Sequence, residues 1–574
     1  MQTNGLIGGL SQGIKPSKHL AWAGLSLILA IYITAVLSLR PTNFFGATED
    51  DSIYFSSAKA LAEGRGYILP SVPGTPPATK YPILYPLILS IVWKIKPSFP
   101  ANVPWAIAVT VAFGLVYLVA GLIFLRRLQV LNDAEALLIT AFCALHPVVL
   151  LYSASVLSDI PFAAFALVAM LLADSMVRPA ARPQFAVLCG VVAGLSMLVR
   201  MFGLAIVAGI LLAAVVRRTW KQMFLFAASI APFLLFIVWR ASLATRIVAP
   251  VSNNDAATLG WVRAWAYYTN YFAIWKVSVP NAHIFWAMIS NNLGLLIQSP
   301  ADFFLSPLLV SDSMTGRALV LLVSVMAVAG LVRQAFLRGW APFHYVLPFY
   351  ALIIVLWNYP DASNRFLLPF CFLLVAGLWL EMRRILVVVQ SKVSSGSTHS
   401  ERFMAAVFGV AMLFIGFGII VNYVNGHRRN LYALSRQRES ILKPKQEAYR
   451  WLADHDCCSP VLAYEDADVY LYSGRTAMRP VIFVTSSIYE PKILDGSLGH
   501  ILDVGRAIKA GYWLFSEDDF AMESENAMSA IRNCLGVLGP NDWRASFKSN
   551  DGRVVLRKFP SGADHDLNCG RKIH

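Results

Sequence analysis

The sequence predicts a polytopic α-helical membrane protein with a small C-terminal α/β soluble domain. Of its 574 residues 57% are hydrophobic and only 14% are charged, whereas soluble domains average about 25% charged residues. Apolar runs of roughly 15–22 residues recur through the first three quarters, as expected of membrane-spanning helices. From about residue 445 the charges become denser and the apolar runs shorten to strand length.

About eleven hydrophobic segments are candidate spans. They are Leu20–Leu39, Trp105–Leu125, Ala134–Ser155, Ile160–Val177, Phe185–Val199, Phe202–Val216, Met223–Ser242, Ala318–Leu337, Pro342–Trp357, Phe366–Leu380 and Met404–Val424. The apolar segment Pro82–Lys96 is predicted to be interfacial or re-entrant, because about fourteen residues are too few to cross comfortably.

The net charge of +15 reports topology rather than nucleic-acid binding, because the basic residues lie in short clusters between the spans. If Lys15 and Lys18 are cytoplasmic, the later clusters fall on the same side: Arg126-Arg127, Arg178 with Arg182, Arg217-Arg218-Lys221, Arg333 with Arg338, and Arg383-Arg384. We therefore expect a cytoplasmic N-terminus and a C-terminus outside a bacterial inner membrane. The expected parts are a membrane module, 1–430, with outer segments 40–104 and 243–317, and an extracytoplasmic domain, 445–574.

Strand and helix patterns alternate in this C-terminal domain, which is typical of an α/β fold. The predicted helices are Gln446–His455, Asp466–Tyr472, Ile501–Ala510 and Glu523–Leu535. The predicted strands are Pro460–Tyr464, Pro480–Val484, Tyr512–Phe515, and a hairpin of Trp543–Phe547 and Arg553–Lys558. A disulfide from Cys457 or Cys458 to Cys534 or Cys569 is expected here, whereas the cysteines inside the spans are interpreted as apolar core residues.

Carboxylates beside a membrane are costly and indicate chemistry. Asp50 and Asp51 open an amphipathic stretch in the first outer segment, and Asp159 follows the third span on the same side. Each also fits a helix cap, which is the alternative interpretation. Together, two carboxylates on one face could supply a general base for an acceptor hydroxyl or amine and a partner that orients it or holds a divalent metal.

Cations on the same face could bind a lipid phosphate, for which arginine offers a bidentate fork. The candidates are Lys80, Arg200 and Arg365, with Tyr81 and Tyr85 as further substrate contacts. The alternative is that these cations snorkel at the interface.

Two other features favour structural interpretations. His146 inside the third span is expected to be a core histidine. The aromatic residues of Trp261–Trp275 indicate an interfacial belt rather than a sugar platform.

The order of these motifs resembles the GT-C glycosyltransferases, in particular the bacterial relatives of protein O-mannosyltransferases and the lipid A aminoarabinose transferase. The resemblance covers roughly Leu20–Val424. It rests on the acidic pair after the first span, a Gly-x-Gly-Tyr turn, Tyr-Pro-Ile-Leu-Tyr-Pro-Leu, a span ending in Arg-Arg, Ser-Val-Leu-Ser-Asp-Ile-Pro-Phe, and Asn-Arg-Phe-Leu-Leu-Pro-Phe.

The resemblance implies transfer of a sugar from a polyprenyl-phosphate carrier to an extracytoplasmic acceptor, with inversion at the anomeric carbon. By position, Asp50 matches the catalytic aspartate of the first loop, with Asp51 beside it. Asp159 matches the acidic residue of the second outer loop, and Arg365 is the best-matched contact to the carrier phosphate. A metal is optional, because the donor phosphate is already a good leaving group.

Two other classes of function remain open at the sequence level. A transporter or lipid flippase would place charges or broken helices near the midplane of the membrane, whereas the carboxylates here are expected at the outer ends of spans. A non-catalytic membrane sensor with an outer domain is the other alternative.

Overall fold

The structure is a computed structural model, and it describes the chain in sections. These are 18–178, 180–246, 267–269, 279, 281–304, 314–357, 363–394, isolated positions between 403 and 425, 431–455, 459–480, 501–519 and 545–559. The predicted strand Pro480–Val484, apart from its first residue, the predicted helix Glu523–Leu535 and most of the predicted span Met404–Val424 lie outside these sections. So do all four cysteines of the expected disulfide.

Helices dominate the first three quarters of the chain. They are α1 Lys18–Ser38, α2 Glu49–Ala62, α3 Leu84–Ile95, α4 Val103–Arg127, α5 Asp133–Ala144, α6 Pro147–Ser153, α7 Asp159–Met176, α8 Pro183–Val199, α9 Gly203–Val216, α10 Trp220–Arg246, α11 Ala282–Asp302, α12 Met314–Arg338, α13 Pro342–Val355, the single turn α14 Ser363–Phe366, and α15 Cys371–Ser394. Short 3₁₀ turns at Pro41–Phe44 and Leu368–Phe370 precede α2 and α15.

The described residues contain five helices long and apolar enough to cross a membrane, or up to six if the bent pair of α5 and α6 is one span. The predicted number of about eleven is therefore not confirmed. Several predicted spans are shorter apolar helices here: α8, α9 and α13 have 17, 14 and 14 residues. The predicted interfacial segment forms α3, whose 12 residues are too few to span a bilayer.

The prediction of one continuous span over Ala134–Ser155 is wrong, because the segment forms two helices with a break between them. Helices α5 and α6 meet at an angle of 57°. Pro147 has no N–H to continue α5 and begins α6 instead. At the break, His146 Nδ1 accepts from the backbone N–H of Val148 at 3.2 Å, and its Nε2 lies 2.7 Å from the Phe303 carbonyl oxygen. His146 is thus a buried structural histidine, as expected.

Two separate groups of charged residues lie at opposite ends of the bundle. Helix α7 begins with Asp159, and near its other end Asp174 pairs with Arg178 at 2.5 Å. Because an α-helix rises about 1.5 Å per residue, these two carboxylates are about 22 Å apart along the axis. The end with Asp174 also carries the Arg383–Glu135 and Arg333–Glu381 pairs, both from the predicted cytoplasmic clusters. The predicted candidate site lies at the opposite end.

The C-terminal residues form a five-stranded sheet with the order β2-β1-β3-β5-β4. Its elements are α16 Tyr432–Asp454, β1 Val461–Leu462, α17 Asp466–Ser473, β2 Ala477–Met478, α18 Ile501–Ala507, β3 Tyr512–Ser516, β4 Ala545–Lys548 and β5 Val554–Lys558. Strands β2, β1 and β3 are parallel, and β5 pairs antiparallel with both β3 and β4. Helix α16 begins 14 residues before the predicted start.

This sheet shares a hydrophobic core with the residues between α1 and α4. Phe55 of α2 and Trp93 of α3 belong to the same buried cluster as Leu462, Met478 and Trp513 of the sheet. The helix that carries Asp50 is consequently packed between α3 and the C-terminal residues.

Candidate active site

Five of the predicted site residues form one hydrogen-bonded cluster. Arg365 bridges two carboxylates, since its Nη2 lies 2.7 Å from Asp50 Oδ2 and its Nε lies 2.7 Å from Asp159 Oδ1. Arg200 donates to the same Asp159 oxygen. Tyr81 completes the contacts of Asp50 by donating its hydroxyl to Oδ1 at 2.9 Å. Residues up to 315 positions apart are thus brought together.

Asp159 is the inner member of this cluster. Its side chain is 1% exposed, against 22% for Asp50. Two arginines on one buried carboxylate offset the cost of removing its charge from water. Asp159 therefore orients the guanidinium groups, while Asp50 is the more exposed of the two carboxylates.

Helix α2 begins with an acidic first turn, and Asp50 lies in that turn. Glu49, Asp50 and Asp51 occupy that turn, where negative charge interacts well with the helix dipole. Further along, Trp93 Nε1 donates to the carbonyl oxygen of Phe55 at 3.0 Å, and the two rings are 4.8 Å apart. These contacts with α3 fix the helix behind the carboxylate.

A reversal of the chain after α2 brings Lys80 and Tyr81 back to Asp50. Gly64 and Gly66 take positive φ angles of 75° and 84°, which glycine adopts without strain. Tyr67 then donates its hydroxyl to the carbonyl oxygen of Tyr81 at 3.0 Å. The Gly-x-Gly-Tyr motif therefore helps to position Tyr81, which donates a hydrogen bond to Asp50.

The two arginines of the cluster, Arg200 and Arg365, lie where long helices are interrupted. Arg200 has extended backbone angles between α8 and α9, and its guanidinium lies 5.3 Å from the ring centroid of Phe366. Phe366 follows Arg365 in α14, and its carbonyl oxygen accepts from the Tyr350 hydroxyl at 2.7 Å. The aromatic packing of Phe366 on Phe202, at 4.3 Å, holds the two breaks together.

Charges in and around the cluster shift the pKa of two groups, Asp50 and Lys80. Burial alone would raise the pKa of Asp50, but attraction to Arg365, Arg200 and Lys80 outweighs it and lowers the pKa to about 2. Burial lowers the pKa of Lys80 to about 8, even though Glu49 and Asp50 attract its ammonium. At neutral pH the site therefore holds an ionised Asp50 and a lysine close to losing its proton.

The structure does not bring two predicted residues to the cluster. Asp51 is buried and accepts from the backbone N–H groups of Gly46 and Ser52 at 2.9 and 2.8 Å. Burial, together with the nearby Asp468 carboxylate, raises its pKa well above the usual range. Tyr85 is fully buried, and its hydroxyl lies 2.8 Å from Thr110 Oγ1.

Other residues join the site that the sequence did not indicate. Tyr267 places its ring 3.5 Å from Lys80 Nζ and donates its hydroxyl to Glu49. Arg479, beyond β2, lies 2.8 Å from Glu49 Oε2. Tyr267 belongs to the predicted aromatic belt, yet it is 8% exposed and packed inside the protein.

A divalent metal is a poor fit to the predicted ligands Asp50 and Asp159. Arg365 lies between the two carboxylates and would repel a cation there. Within the part of the chain that the structure describes, no group of three or more His, Cys, Asp or Glu side chains could hold a metal ion.

The helical bundle, with this charged cluster at one end and a C-terminal sheet packed over it, has a fold similar to that of the ArnT crystal structures. The chain is similar to the crystal structure of ArnT, the lipid A aminoarabinose transferase, from Cupriavidus metallidurans in the apo state. The TM-score is 0.52 at 11% sequence identity, covering 94% of this chain and 98% of that chain.

The chain is also similar to two further solved structures. ArnT of the same organism bound to undecaprenyl phosphate gives a TM-score of 0.52 at 12% identity, with the same coverage of 94% and 98%. The apo oligosaccharyltransferase of Archaeoglobus fulgidus gives 0.49 at 14% identity, covering 88% of this chain and 71% of that chain. No protein-family model matches the sequence, and no curated protein matches it.

Proposed function

We propose that this protein is a membrane glycosyltransferase that moves a sugar from a polyprenyl-phosphate carrier to an acceptor, with inversion at the anomeric carbon. The proposed location is the bacterial inner membrane, with the charged cluster and the C-terminal domain on the outer side. The observation that carries the proposal is the Arg365 bridge between Asp50 and Asp159, on a fold found in an enzyme that binds undecaprenyl phosphate.

The proposed reaction is a single displacement. Asp50 accepts the proton of an acceptor hydroxyl or amine. The acceptor atom bonds to the anomeric carbon from the face opposite the phosphate. The bond from that carbon to the phosphate oxygen breaks, and its electron pair leaves with the polyprenyl phosphate. Arg365 and Arg200 stabilise the negative charge on the departing phosphate.

The Arg365 bridge also couples donor binding to the strength of the base. Attraction to Arg365 is the largest of the effects that lower the pKa of Asp50, and a carboxyl group with a pKa of about 2 is a weak base. A donor phosphate competes with Asp50 for the Arg365 guanidinium. Binding of the donor therefore raises the pKa of Asp50 and strengthens it as a base when the sugar is in place.

The proposed reaction includes no metal. Three cationic side chains, Lys80, Arg200 and Arg365, supply the positive charge that a metal would otherwise bring to the phosphate. The leaving group is a phosphate, which needs little further activation.

Binding of undecaprenyl phosphate to the purified protein in lipid nanodiscs tests the donor. Arg365→Met should weaken binding by about tenfold or more, because a charge-assisted bidentate contact is lost. Arg383→Met is the matched control, since Arg383 pairs with Glu135 at the opposite end of the bundle. Equal affinity of wild type and Arg365→Met, or equal binding of undecaprenol, would contradict the proposal.

A further inference from the structure

A buried arginine from the C-terminal residues holds the first residue of α2. Arg479 is 4% exposed. Its Nη2 lies 2.8 Å from Glu49 Oε2, and its Nε donates to the Tyr464 carbonyl oxygen at 3.0 Å. The guanidinium also lies 4.2 Å from the ring centroid of Tyr464. Arg479 is thereby held by Tyr464, which follows β1, and presents one nitrogen to α2.

Glu49 links this arginine to the site. The Tyr267 hydroxyl donates to the same Glu49 oxygen that Arg479 contacts. The ring of Tyr267 lies directly against the Lys80 ammonium. Glu49 is also the neighbour of Asp50 in the first turn of α2. One carboxylate thus lies between Arg479 and two residues of the candidate site.

Arg479 affects the site because Glu49 and Asp50 compete for the same lysine, Lys80. Glu49 and Asp50 both attract the Lys80 ammonium, and Arg479 repels it. A buried carboxylate without a paired cation is strongly destabilised. If Arg479 is removed, Glu49 takes Lys80 as its partner and draws it away from Asp50 and the donor phosphate.

We propose that Arg479 is a positioning residue of the transferase, which neutralises Glu49 so that Lys80 serves the donor phosphate and α2 keeps Asp50 beside Arg365. The proposal rests on the proposed function. It also assigns the C-terminal domain a role in assembling the donor site.

A double-mutant cycle on the full-length protein tests the competition. The readout is the affinity for undecaprenyl phosphate. Arg479→Gln should weaken binding by about tenfold, whereas Glu49→Gln with Arg479→Gln should restore most of it, since Glu49 then no longer competes for Lys80. Arg479→Lys should lie between wild type and Arg479→Gln. A double variant no better than Arg479→Gln, or wild-type affinity in Arg479→Gln, would overturn the proposal.

Arg475→Gln is the matched control. Arg475 is about as buried and lies just before β2, but it donates to the His455 carbonyl oxygen, away from α2. Its loss should leave the affinity at the wild-type level. If it weakens binding as much as Arg479→Gln, the effect comes from the sheet and not from Glu49.

Hydrogen exchange gives a readout that does not depend on the donor. Amides in the first turns of α2 should exchange faster in Arg479→Gln than in wild type or Arg475→Gln. Unchanged exchange would show that Arg479 does not hold α2. If wild type binds no undecaprenyl phosphate but exchange responds as expected, the donor assignment fails while the contact between Arg479 and α2 stands.

Discussion

Asp50 takes its properties from two other sections of the chain. Tyr81 and Arg365 each donate to one of its oxygens, and Lys80 adds positive charge nearby. The low pKa of Asp50 and the lowered pKa of Lys80 have opposite consequences. Asp50 stays ionised throughout the physiological range, whereas Lys80 titrates within it.

Lys80 should therefore give donor binding a pH dependence. Its pKa of about 8 means that the ammonium loses its proton as the pH rises through that value. The affinity for undecaprenyl phosphate should fall between about pH 7 and pH 9, because the phosphate then loses a cationic partner.

The matched variant is Lys80→Arg, which stays charged over this range. Titrations at several pH values should show a smaller fall for Lys80→Arg than for wild type. A wild-type affinity that is flat across this range, or an equal fall in Lys80→Arg, would remove Lys80 from the donor site.

The sequence indicated the clustered charges because ionised groups are rare in so apolar a chain. For that reason the sequence analysis could select four residues of the cluster, which are Asp50, Asp159, Arg200 and Arg365. Neighbours on a helix point about 100° apart, so Asp51 could not share the direction of Asp50. The partners Tyr267 and Arg479 were missed because only the tertiary fold brings them to Glu49, although an acidic Glu49 beside Asp50 was a usable signal.

At the scale of elements, glycines set how closely two membrane helices approach. A Cβ on Gly330 of α12 would lie 2.0 Å from the carbonyl oxygen of Gly377, and one on Gly377 of α15 would lie 2.1 Å from that of Ala327. Small residues at such crossings are typical of membrane helix pairs. The pairing of α12 with α15 supports α14 and Arg365, which lie immediately before α15 in the chain.

Gly377→Ala should separate these helices. We expect a loss of about 1–3 kcal/mol of stability, as in other overpacked cores, seen as a lower Tm in detergent. Gly294→Ala in α11 is the control, because nothing lies within 4 Å of a Cβ there. An unchanged Tm for Gly377→Ala would mean that the helices do not pack this closely.

Hydrophobic length predicted most helices but not their breaks. The apolar run Ala134–Ser155 continues through His146, so its pattern gives no sign of the 57° bend. Pro147 was the available signal, since proline is favoured in the first turn of a helix. The hairpin of β4 and β5 was predicted because its turn residues specify the connection locally.

At the scale of the whole molecule, the C-terminal residues and the membrane module share buried acidic groups. Ser52 of α2 donates its hydroxyl to Asp468 of α17. Burial, together with the nearby Glu465, raises the pKa of Asp468 to about 7. The Ser52 hydroxyl favours the ionised carboxylate, but burial outweighs it, so Asp468 keeps its proton to a higher pH than an exposed carboxyl group would.

The sign of the resulting pH dependence follows from linkage. Because the folded-state pKa is raised, the stabilisation is complete below the unfolded value and is lost as the pH rises through about 7. The Tm of wild type should fall between about pH 4 and pH 7, where the folded state holds a proton on Asp468 that the unfolded state has lost, and Asp468→Asn should reduce this fall. Asp454→Asn, at an exposed carboxylate, should keep the wild-type slope. Equal slopes for wild type and Asp468→Asn would contradict the assignment.

The most direct test of the whole account is sugar transfer by Asp50→Asn. Purified protein would be supplied with envelope extract from a deletion strain, which holds both donor and acceptor, and the modified acceptor would be followed by mass spectrometry. We predict that wild type transfers a sugar and that Asp50→Asn is slower by about a hundredfold or more, the usual contribution of a general base. The variant should still bind undecaprenyl phosphate, because Arg365 remains. Transfer by Asp50→Asn at the wild-type rate would contradict the account.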